Sequence, residues 1–72
     1  MTLGQKLYKA RRDAKMTAKA LSDKTGVSSS TIRNYENDRS DPLFFNLCCI
    51  ATTLNLSLDY LAGNTSTTER KP

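Results

Sequence analysis

Gly26 is the residue that most constrains how this chain can fold, because two short helical patterns meet there. Residues 18–25 before it are good helix formers, and the Thr17 side chain can cap their first turn by accepting a backbone hydrogen bond. Glycine adopts a positive φ at no steric cost, so it can end this helix and let the chain reverse. Ser28, two residues later, is a candidate cap for another helix. The sequence therefore predicts two capped helices joined by a tight turn.

The second of these helices, over residues 29–37, has two chemically different faces at helical spacing. Ile32, Tyr35 and Glu36 lie on one face. The other face carries the polar residues Ser29, Ser30, Arg33, Asn34 and Asn37. A flexible linker is the alternative for the serine run, but an apolar stripe follows it at once. Because an amphipathic helix buries its apolar stripe, we expect Ile32 to meet Leu21 across the turn and the polar face to be exposed.

Three further helices complete the predicted fold. A first helix, over residues 3–15, presents an inward stripe of Leu3, Leu7, Ala10, Arg11 and Ala14. A fourth helix presents an inward stripe of Phe44, Leu47, Cys48, Ala51 and Leu54. It is broken at Asn55, and a short fifth helix carrying Leu58 and Leu61 begins after Ser57 and stops at Gly63. The chain has no alternating strand pattern and no internal repeat, so the predicted fold class is all-α.

The length of the chain limits it to one small domain, since 72 residues of which 38% are hydrophobic leave no room for a second core. A domain of this size buries only about 60% of the surface that its unfolded chain exposes, which favours helices joined by short loops. We expect the domain to occupy residues 1–63. Residues 64–72 are polar and lack periodicity, so we expect them to form a disordered tail.

Several classes of protein are disfavoured by what the sequence lacks. Cys48 and Cys49 are the only cysteines and histidine is absent, so one chain offers neither a disulfide framework nor a four-ligand zinc site. We expect reduced thiols, and no metal, cofactor or small-molecule ligand. An enzyme is not expected either, because no histidine, paired carboxylate site or phosphate-binding glycine loop is present. No apolar stretch approaches the ~20 residues that cross a bilayer, and no signal peptide precedes the first charges, so we expect a cytoplasmic protein without a membrane partner.

The charge of the chain favours an anionic partner. Eleven Lys and Arg against seven Asp and Glu give a net charge of +4. Residues 1–39 hold nine of the basic side chains and four of the acidic ones, a net charge of +5, so the first half is the expected binding half. The alternative is that these lysines only solvate exposed helix faces.

A set of core and cap residues at fixed spacing carries a resemblance to a known family. The set comprises Arg11, Thr17, Leu21, Gly26, Val27, Ser28, Thr31, Ile32, Tyr35, Glu36, Pro42, Ala51, Leu54 and the ending LNLSLDYL. Over residues 3–62 the chain resembles the phage repressor and Cro type, or XRE family, of helix-turn-helix DNA-binding domains. The resemblance implies a compact five-helix, lambda-repressor-like domain whose helix-turn-helix is formed by helices 2 and 3.

The resemblance also implies which residues contact DNA, because in such proteins the second helix of the motif enters the major groove. The base-contacting positions are Ser29, Ser30, Arg33 and Asn34. The phosphate-contacting positions are Thr17, Ala18, Lys19, Asn37 and Arg39. The side-chain chemistry agrees, since Arg33 can form two hydrogen bonds with guanine and Asn34 can form two with adenine.

Three positions depart from the family pattern. Ala18 stands where glutamine is common, Ala20 where a glutamate often completes a capping box, and Asp38 where glycine usually makes the turn. Without the glutamine, helix 2 lacks a side chain that can bond to phosphate or to the recognition helix. Affinity is therefore expected to depend more on Lys19, Arg39 and main-chain amides.

Arg11 and Glu36 are the candidates for a structural role. Both lie near the apolar faces of their helices, and the resemblance implies a partly buried ion pair that joins helix 1 to the recognition helix. The alternative is two unpaired surface charges.

Dimerisation is expected because one short recognition helix reads few base pairs. Two candidate surfaces remain once the core is assigned. The first consists of Leu43, Phe45 and Cys49. The second, which the resemblance favours, consists of Leu56, Leu58, Tyr60 and Leu61.

The expected function is that of a sequence-specific transcriptional regulator, most simply a repressor that binds a palindromic operator in double-stranded DNA as a homodimer. Such a protein is expected in the cytoplasm of a prokaryote, encoded by the cell or by a phage. The alternative is a protein-interaction module, an antitoxin or an adaptor, that uses the same fold. The two hypotheses differ in their salt dependence, because DNA binding weakens steeply as salt rises.

Overall fold

The computed structural model describes residues 1–63, and within that range the chain forms five α-helices and no strand. They are α1 (Leu3–Asp13), α2 (Ala18–Thr25), α3 (Ser29–Glu36), α4 (Phe44–Leu54) and α5 (Leu58–Ala62). The all-α prediction is confirmed. The predicted disordered tail, residues 64–72, lies outside the described residues.

The predicted helix ends are close to the observed ones. Helix α1 is two residues shorter than predicted, because Lys15 has a φ of 60° and cannot continue a right-handed helix. Helix α3 ends at Glu36, and Asn37 follows it as the C-cap. Four helices have a serine or threonine cap. The hydroxyls of Thr2, Thr17, Ser28 and Ser57 each accept from an amide in the first turn of α1, α2, α3 and α5, respectively. These caps satisfy amides that have no partner within the helix.

One hydrophobic core joins the five helices. Its largest fully buried side chains are Leu7, Leu21, Ile32, Ile50 and Leu54. Leu21 and Ile32 are each 1% exposed and belong to the same cluster, as predicted for the two helices that flank Gly26. Cys48 and Cys49 are free and half-buried on α4.

Two of the predicted core positions are wrong. Ala14, assigned to the inward stripe of the first helix, is exposed, because α1 ends at Asp13 and Ala14 is its C-cap. Phe44, assigned to the inward stripe of α4, is 74% exposed, because it begins the helix and projects beyond the core, while Ile50 further along is 1% exposed. The second predicted dimer surface is also largely used within the domain: Leu56, Tyr60 and Leu61 are buried, and Leu58 is half-buried against the core. Helix α5 spans only five residues and attaches to the domain by burying Tyr60 and Leu61.

Helices α1 and α3 approach each other closely at Gly4. A Cβ on this residue would lie 2.5 Å from the carbonyl oxygens of Tyr35 and Glu36, so only glycine fits. The Asp38 carboxylate closes the same contact, accepting from the Thr2 hydroxyl at 2.6 Å and from the Gly4 amide at 2.9 Å. Asp38 has a φ of 56°, the left-handed turn conformation expected where the family usually has glycine. The start of α1 is thereby tied to the end of α3.

Candidate nucleic-acid interface

The turn between α2 and α3 is fixed by one glycine and one threonine. Gly26 has a φ of 77° and no neighbour that a Cβ would meet, so its role is conformational. The Thr25 hydroxyl donates to the Leu21 carbonyl at 2.8 Å and accepts from the Val27 amide at 3.1 Å. Val27 is buried between the helices. Together these contacts set the angle at which α3 leaves α2.

Helix α3 presents the two faces that the sequence predicts. Ile32, Tyr35 and Glu36 are buried, whereas Ser30, Arg33 and Asn34 are exposed and Ser29 is half-buried. The exposed side chains carry hydrogen-bond donors and acceptors on a surface free to meet a ligand.

Tyr35 and Glu36 attach the inner face of α3 to its neighbours. The Tyr35 hydroxyl accepts from the Leu43 amide at 3.4 Å and from Asn46 Nδ2 at 3.0 Å, which joins α3 to the start of α4. Glu36 accepts two hydrogen bonds from one guanidinium: from Arg11 Nε at 2.7 Å and from Arg11 Nη2 at 3.0 Å. The ion pair implied by the resemblance is therefore present.

The Arg11–Glu36 pair is well shielded from water, with side chains only 11% and 5% exposed. Arg11 Nη1 also donates to the Met16 carbonyl at 3.0 Å, so the guanidinium has partners on two sides. The hydrogen bonds to Glu36 raise the pKa of Arg11 above its ordinary value, and they outweigh the opposing effect of burial. The pair holds α1 against α3.

The predicted phosphate-contacting residues fall into two places. Thr17 and Lys19 are exposed at the start of α2, and Asn37 and Arg39 are exposed just beyond α3. Ala18 is different: it is 5% exposed and its methyl group belongs to the core. A contact from Ala18 can only be made by its main-chain amide, which precedes the first hydrogen bond of α2.

A basic cleft of about 460 Å³ lies where the end of α1 meets the start of α2 and the face of α3. It is lined by Arg11, Arg12, Lys15, Met16, Thr17, Ala18 and Arg33. Arg11 is neutralised by its carboxylate partner, but in residues 1–63 the ion pairs include none of Arg12, Lys15 and Arg33. Arg12 Nη1 donates to the Tyr8 hydroxyl at 2.7 Å, which orients its guanidinium. The cleft has the charge and donors to hold an oxyanion.

Arg12 and Lys15 are the residues that the motif analysis missed. The sequence does show a cluster of basic residues before Thr17. It does not show that the turn after α1 brings Arg12 and Lys15 beside Arg33. Lys19, Asn37 and Arg39 do not line this cleft.

Within the described residues, no three His, Cys, Asp or Glu side chains are grouped to share a metal ion. None of the helices described is long and apolar enough to cross a membrane.

Two short helices held at a fixed angle, the second with an exposed polar face, define the class of helix-turn-helix domains. A family model described as Helix-turn-helix matches residues 7–61, more than half of the chain. The chain belongs to this family, as its resemblance to the phage repressor and Cro, or XRE, type predicts.

Two curated relatives are phage repressors. The chain is 30% identical over 71 residues to the Cryptic phage CTXphi transcriptional repressor RstR of Vibrio cholerae serotype O1, covering 99% of this chain and 63% of that protein. It is also 30% identical over 63 residues to the Immunity repressor protein of Bacillus phage phi105, covering 88% of this chain and 44% of that protein. The chain therefore spans less than two thirds of the length of these relatives.

A solved structure has the same fold. The crystal structure of the P22 c2 repressor protein in complex with the synthetic operator 9T superposes with a TM-score of 0.80 at 30% sequence identity. The match covers 85% of this chain and 92% of that one. It extends the likeness from the helix-turn-helix to nearly the whole described domain.

Proposed function

We propose that this chain is a sequence-specific DNA-binding transcriptional repressor that acts in the cytoplasm of a prokaryotic host. The observation that carries the proposal is the exposed polar face of α3, held rigidly by contacts to α1, α2 and α4. The similarity to a repressor crystallised with an operator supports it. Helix α3 enters the major groove, and the start of α2 lies against the sugar-phosphate backbone.

Base recognition falls to the exposed side chains of α3. Arg33 donates to guanine O6 and N7, and Asn34 pairs with adenine N6 and N7, each good pair supplying roughly 1–3 kcal/mol of discrimination. Ser29 and Ser30 are short and can serve as donor or acceptor, so they contact bases or nearby phosphates without selecting one base strongly.

Backbone contacts come from residues that flank the base-reading face. Lys19 and Arg39 supply charge, and Thr17, Asn37 and the Ala18 amide supply uncharged donors. Arg12 and Lys15 join this set, because an oxyanion in the basic cleft is within the reach of both. These contacts position α3 in the groove and raise affinity for every DNA sequence alike.

The size of the domain supports binding as a homodimer to a palindromic site. The described part measures 28 × 25 × 20 Å, shorter than the roughly 34 Å turn that separates the centres of two half-sites. One copy therefore covers one half-site, and two copies related by a two-fold axis cover a palindrome.

Selection of bound duplexes from a random pool tests the proposal directly. We expect enrichment of a palindromic consensus for the wild type. Arg33→Ala should lose preference at one base position, while Arg39→Ala, which removes one cation of the same kind from outside the reading face, should weaken all sequences equally. No enrichment, together with little DNA affinity at any salt concentration, would favour the protein-interaction module instead.

A further inference from the structure

Tyr8 is an exposed aromatic residue on α1 that lies outside the hydrophobic core. It is 43% exposed and does not belong to the buried cluster. Its ring nevertheless lies against two guanidinium groups, with its centroid 5.3 Å from Arg11 Cζ and 5.6 Å from Arg12 Cζ. Both distances are within the ~6 Å over which a cation is attracted to the face of an aromatic ring. The role of Tyr8 is therefore to be sought in these two arginines.

Arg11 gives the Tyr8 ring a fixed support. The Arg11 guanidinium donates two hydrogen bonds to Glu36, at 2.7 and 3.0 Å, and one to the Met16 carbonyl at 3.0 Å. The side chains of Arg11 and Glu36 are only 11% and 5% exposed, so protein groups and not water hold this guanidinium. Because Glu36 belongs to α3, the Tyr8 ring packs on a group that is itself tied to the recognition helix.

Tyr8 holds Arg12 without neutralising it. Arg12 Nη1 donates to the Tyr8 hydroxyl at 2.7 Å, and the two residues are four positions apart on α1, the spacing at which helix side chains meet. A carboxylate in this place would bind the guanidinium more strongly, but it would cancel the charge that attracts a phosphate. A hydroxyl is neutral, so it orients the guanidinium and leaves its charge for an anion. Arg12 lines the basic cleft, and in residues 1–63 none of the ion pairs includes it.

Orienting Arg12 in advance lowers the entropic cost of binding an anion. Ordering one side chain that has many rotamers reduces affinity by roughly 2- to 12-fold when the ordering takes place on binding. Where the protein has already ordered the guanidinium, the ligand does not have to. The hydrogen bond and the ring contact to Tyr8 are both partly exposed and individually weak, but they act on the same planar group. The expected gain in affinity is therefore several-fold.

We infer that Tyr8 is a positioning residue for binding of the DNA backbone, because its ring and hydroxyl hold the Arg12 guanidinium at the basic cleft before a phosphate arrives. The inference rests on the proposed function, in which Arg12 contacts phosphate, and it assigns a role to a residue that need not touch DNA itself. The contacts run from Glu36 on α3 through Arg11 and the Tyr8 ring to Arg12. They keep the phosphate contact in a fixed relation to the base-reading face.

Tyr8→Phe is the decisive variant, because it removes the hydroxyl that Arg12 contacts and keeps the ring. Tyr60→Phe is the matched control, since it removes a tyrosine hydroxyl from α5, which contributes no residue to the basic cleft. Arg12→Gln removes the guanidinium, and the double variant Tyr8→Phe/Arg12→Gln completes a cycle that isolates the coupling between the two residues. Tyr8 and Arg12 are both exposed, so these variants should fold, and thermal unfolding checks that they do.

The first measurement is made without DNA, so it does not depend on the proposed function. NMR relaxation of the arginine Nε–H groups reports how far each guanidinium is ordered on the fast timescale. Arg12 Nε should be ordered in the wild type and in Tyr60→Phe, and mobile in Tyr8→Phe. Arg11 Nε should remain ordered in all three proteins, because its partners are Glu36 and Met16.

The second measurement is the affinity for a duplex of arbitrary sequence over a range of salt concentrations, because backbone contacts act on every sequence alike. Tyr8→Phe should bind about 5-fold more weakly than the wild type at each salt concentration. The slope of log K against log salt should not change in this variant, because the charge of Arg12 is retained. Arg12→Gln should reduce the steepness by about 0.9, and adding Tyr8→Phe to Arg12→Gln should have no further effect.

Equal order at Arg12 Nε in the wild type and Tyr8→Phe would overturn the inference, and so would a loss of affinity from Tyr8→Phe that is the same with and without Arg12. Either result would leave the proposed function standing. A wild type that binds no duplex even at low salt would instead overturn the proposed function, and the inference with it.

Discussion

Arg11 shows how much one residue contributes to this fold. Its guanidinium gives two hydrogen bonds to Glu36 and one to the Met16 carbonyl, in a place with little access to water. A buried pair of this kind is costly to break, because removing one partner leaves the other charge without compensation.

Arg11→Ala should therefore lower the free energy of unfolding by about 3–5 kcal/mol, as measured by urea denaturation. Because the pKa of Arg11 is raised, the stability that its charge contributes is fully present below the ordinary guanidinium range and disappears only as pH rises through the raised pKa. The destabilisation caused by Arg11→Ala should therefore be the same at about pH 7 and pH 9. Lys24→Ala, which removes an exposed cation, is the control, and equal midpoints for the two variants would refute the role of the pair.

Gly4 is a residue whose importance does not show in the sequence. Gly4→Ala should cost about 3 kcal/mol, because the new methyl group meets two backbone carbonyls that cannot move independently of α3. Gly26→Ala should cost only about 1 kcal/mol, since it strains φ in open space. Thermal unfolding of the two variants would test this order, and a Gly4→Ala protein as stable as Gly26→Ala would contradict the close approach of α1 and α3.

At the scale of the elements, α3 is held at its C-terminal end by three residues. Asp38 joins its C-terminal end to the start of α1, and Tyr35 and Glu36 join its inner face to α4 and α1. A helix held in this way presents its exposed side chains in one orientation, which is what recognition of a groove requires.

Asp38→Asn tests the contact of the Asp38 carboxylate with Thr2 and Gly4, which we call the Asp38 clamp. Asparagine tolerates the left-handed conformation, so the change removes the charge and one acceptor oxygen without straining the turn. We expect a loss of about 1.5–3 kcal/mol in the free energy of unfolding, the range for hydrogen bonds to a charged group. Asp41→Asn, an exposed carboxylate in the next loop, should change stability little, and a loss as large in Asp41→Asn would show that net charge alone matters.

The sequence predicts the elements better than their contacts. Caps and turns are local, so the positions of Thr17, Gly26 and Ser28 predict where α2 begins and ends and where α3 begins. The inward face of α4 is harder to assign, because Leu43, Phe44 and Phe45 are all apolar and leave the helical period ambiguous.

The outer face of α3 was predictable for the same local reason, since its polar and apolar residues alternate at helical spacing. The Asp38 clamp and the basic cleft could not be predicted from the sequence, because each depends on how separate helices are arranged in three dimensions. The family resemblance supplied the Arg11–Glu36 pair, which spacing alone does not indicate.

At the scale of the whole molecule, charge and apolar surface are segregated. The basic cleft and the exposed face of α3 belong to the positive first half of the chain, and the exposed side chains of Leu43, Phe44 and Phe45 begin the uncharged stretch of residues 42–58. The surface proposed to face DNA is therefore separate from the exposed apolar side chains.

Salt dependence tests the DNA-facing surface. Each phosphate contact contributes about −0.9 to the slope of log K against log salt concentration, so Arg12→Gln and Lys15→Gln should each reduce the steepness by about 0.9. Both changes keep a long polar side chain. Lys24→Gln removes the same charge outside the cleft and should leave the slope unchanged. If Arg12→Gln and Lys15→Gln had the same slope as Lys24→Gln, then Arg12 and Lys15 would not contact phosphate.

Amide chemical shifts, recorded by NMR as a selected duplex is added, test most directly whether α3 reads the groove. The largest changes should fall on residues 29–34 of α3, with smaller ones at residues 17–19 and at Arg39, and the buried core residues of α4 and α5 should change little. Shifts confined to α4 and α5, with α3 unaffected, would contradict the account.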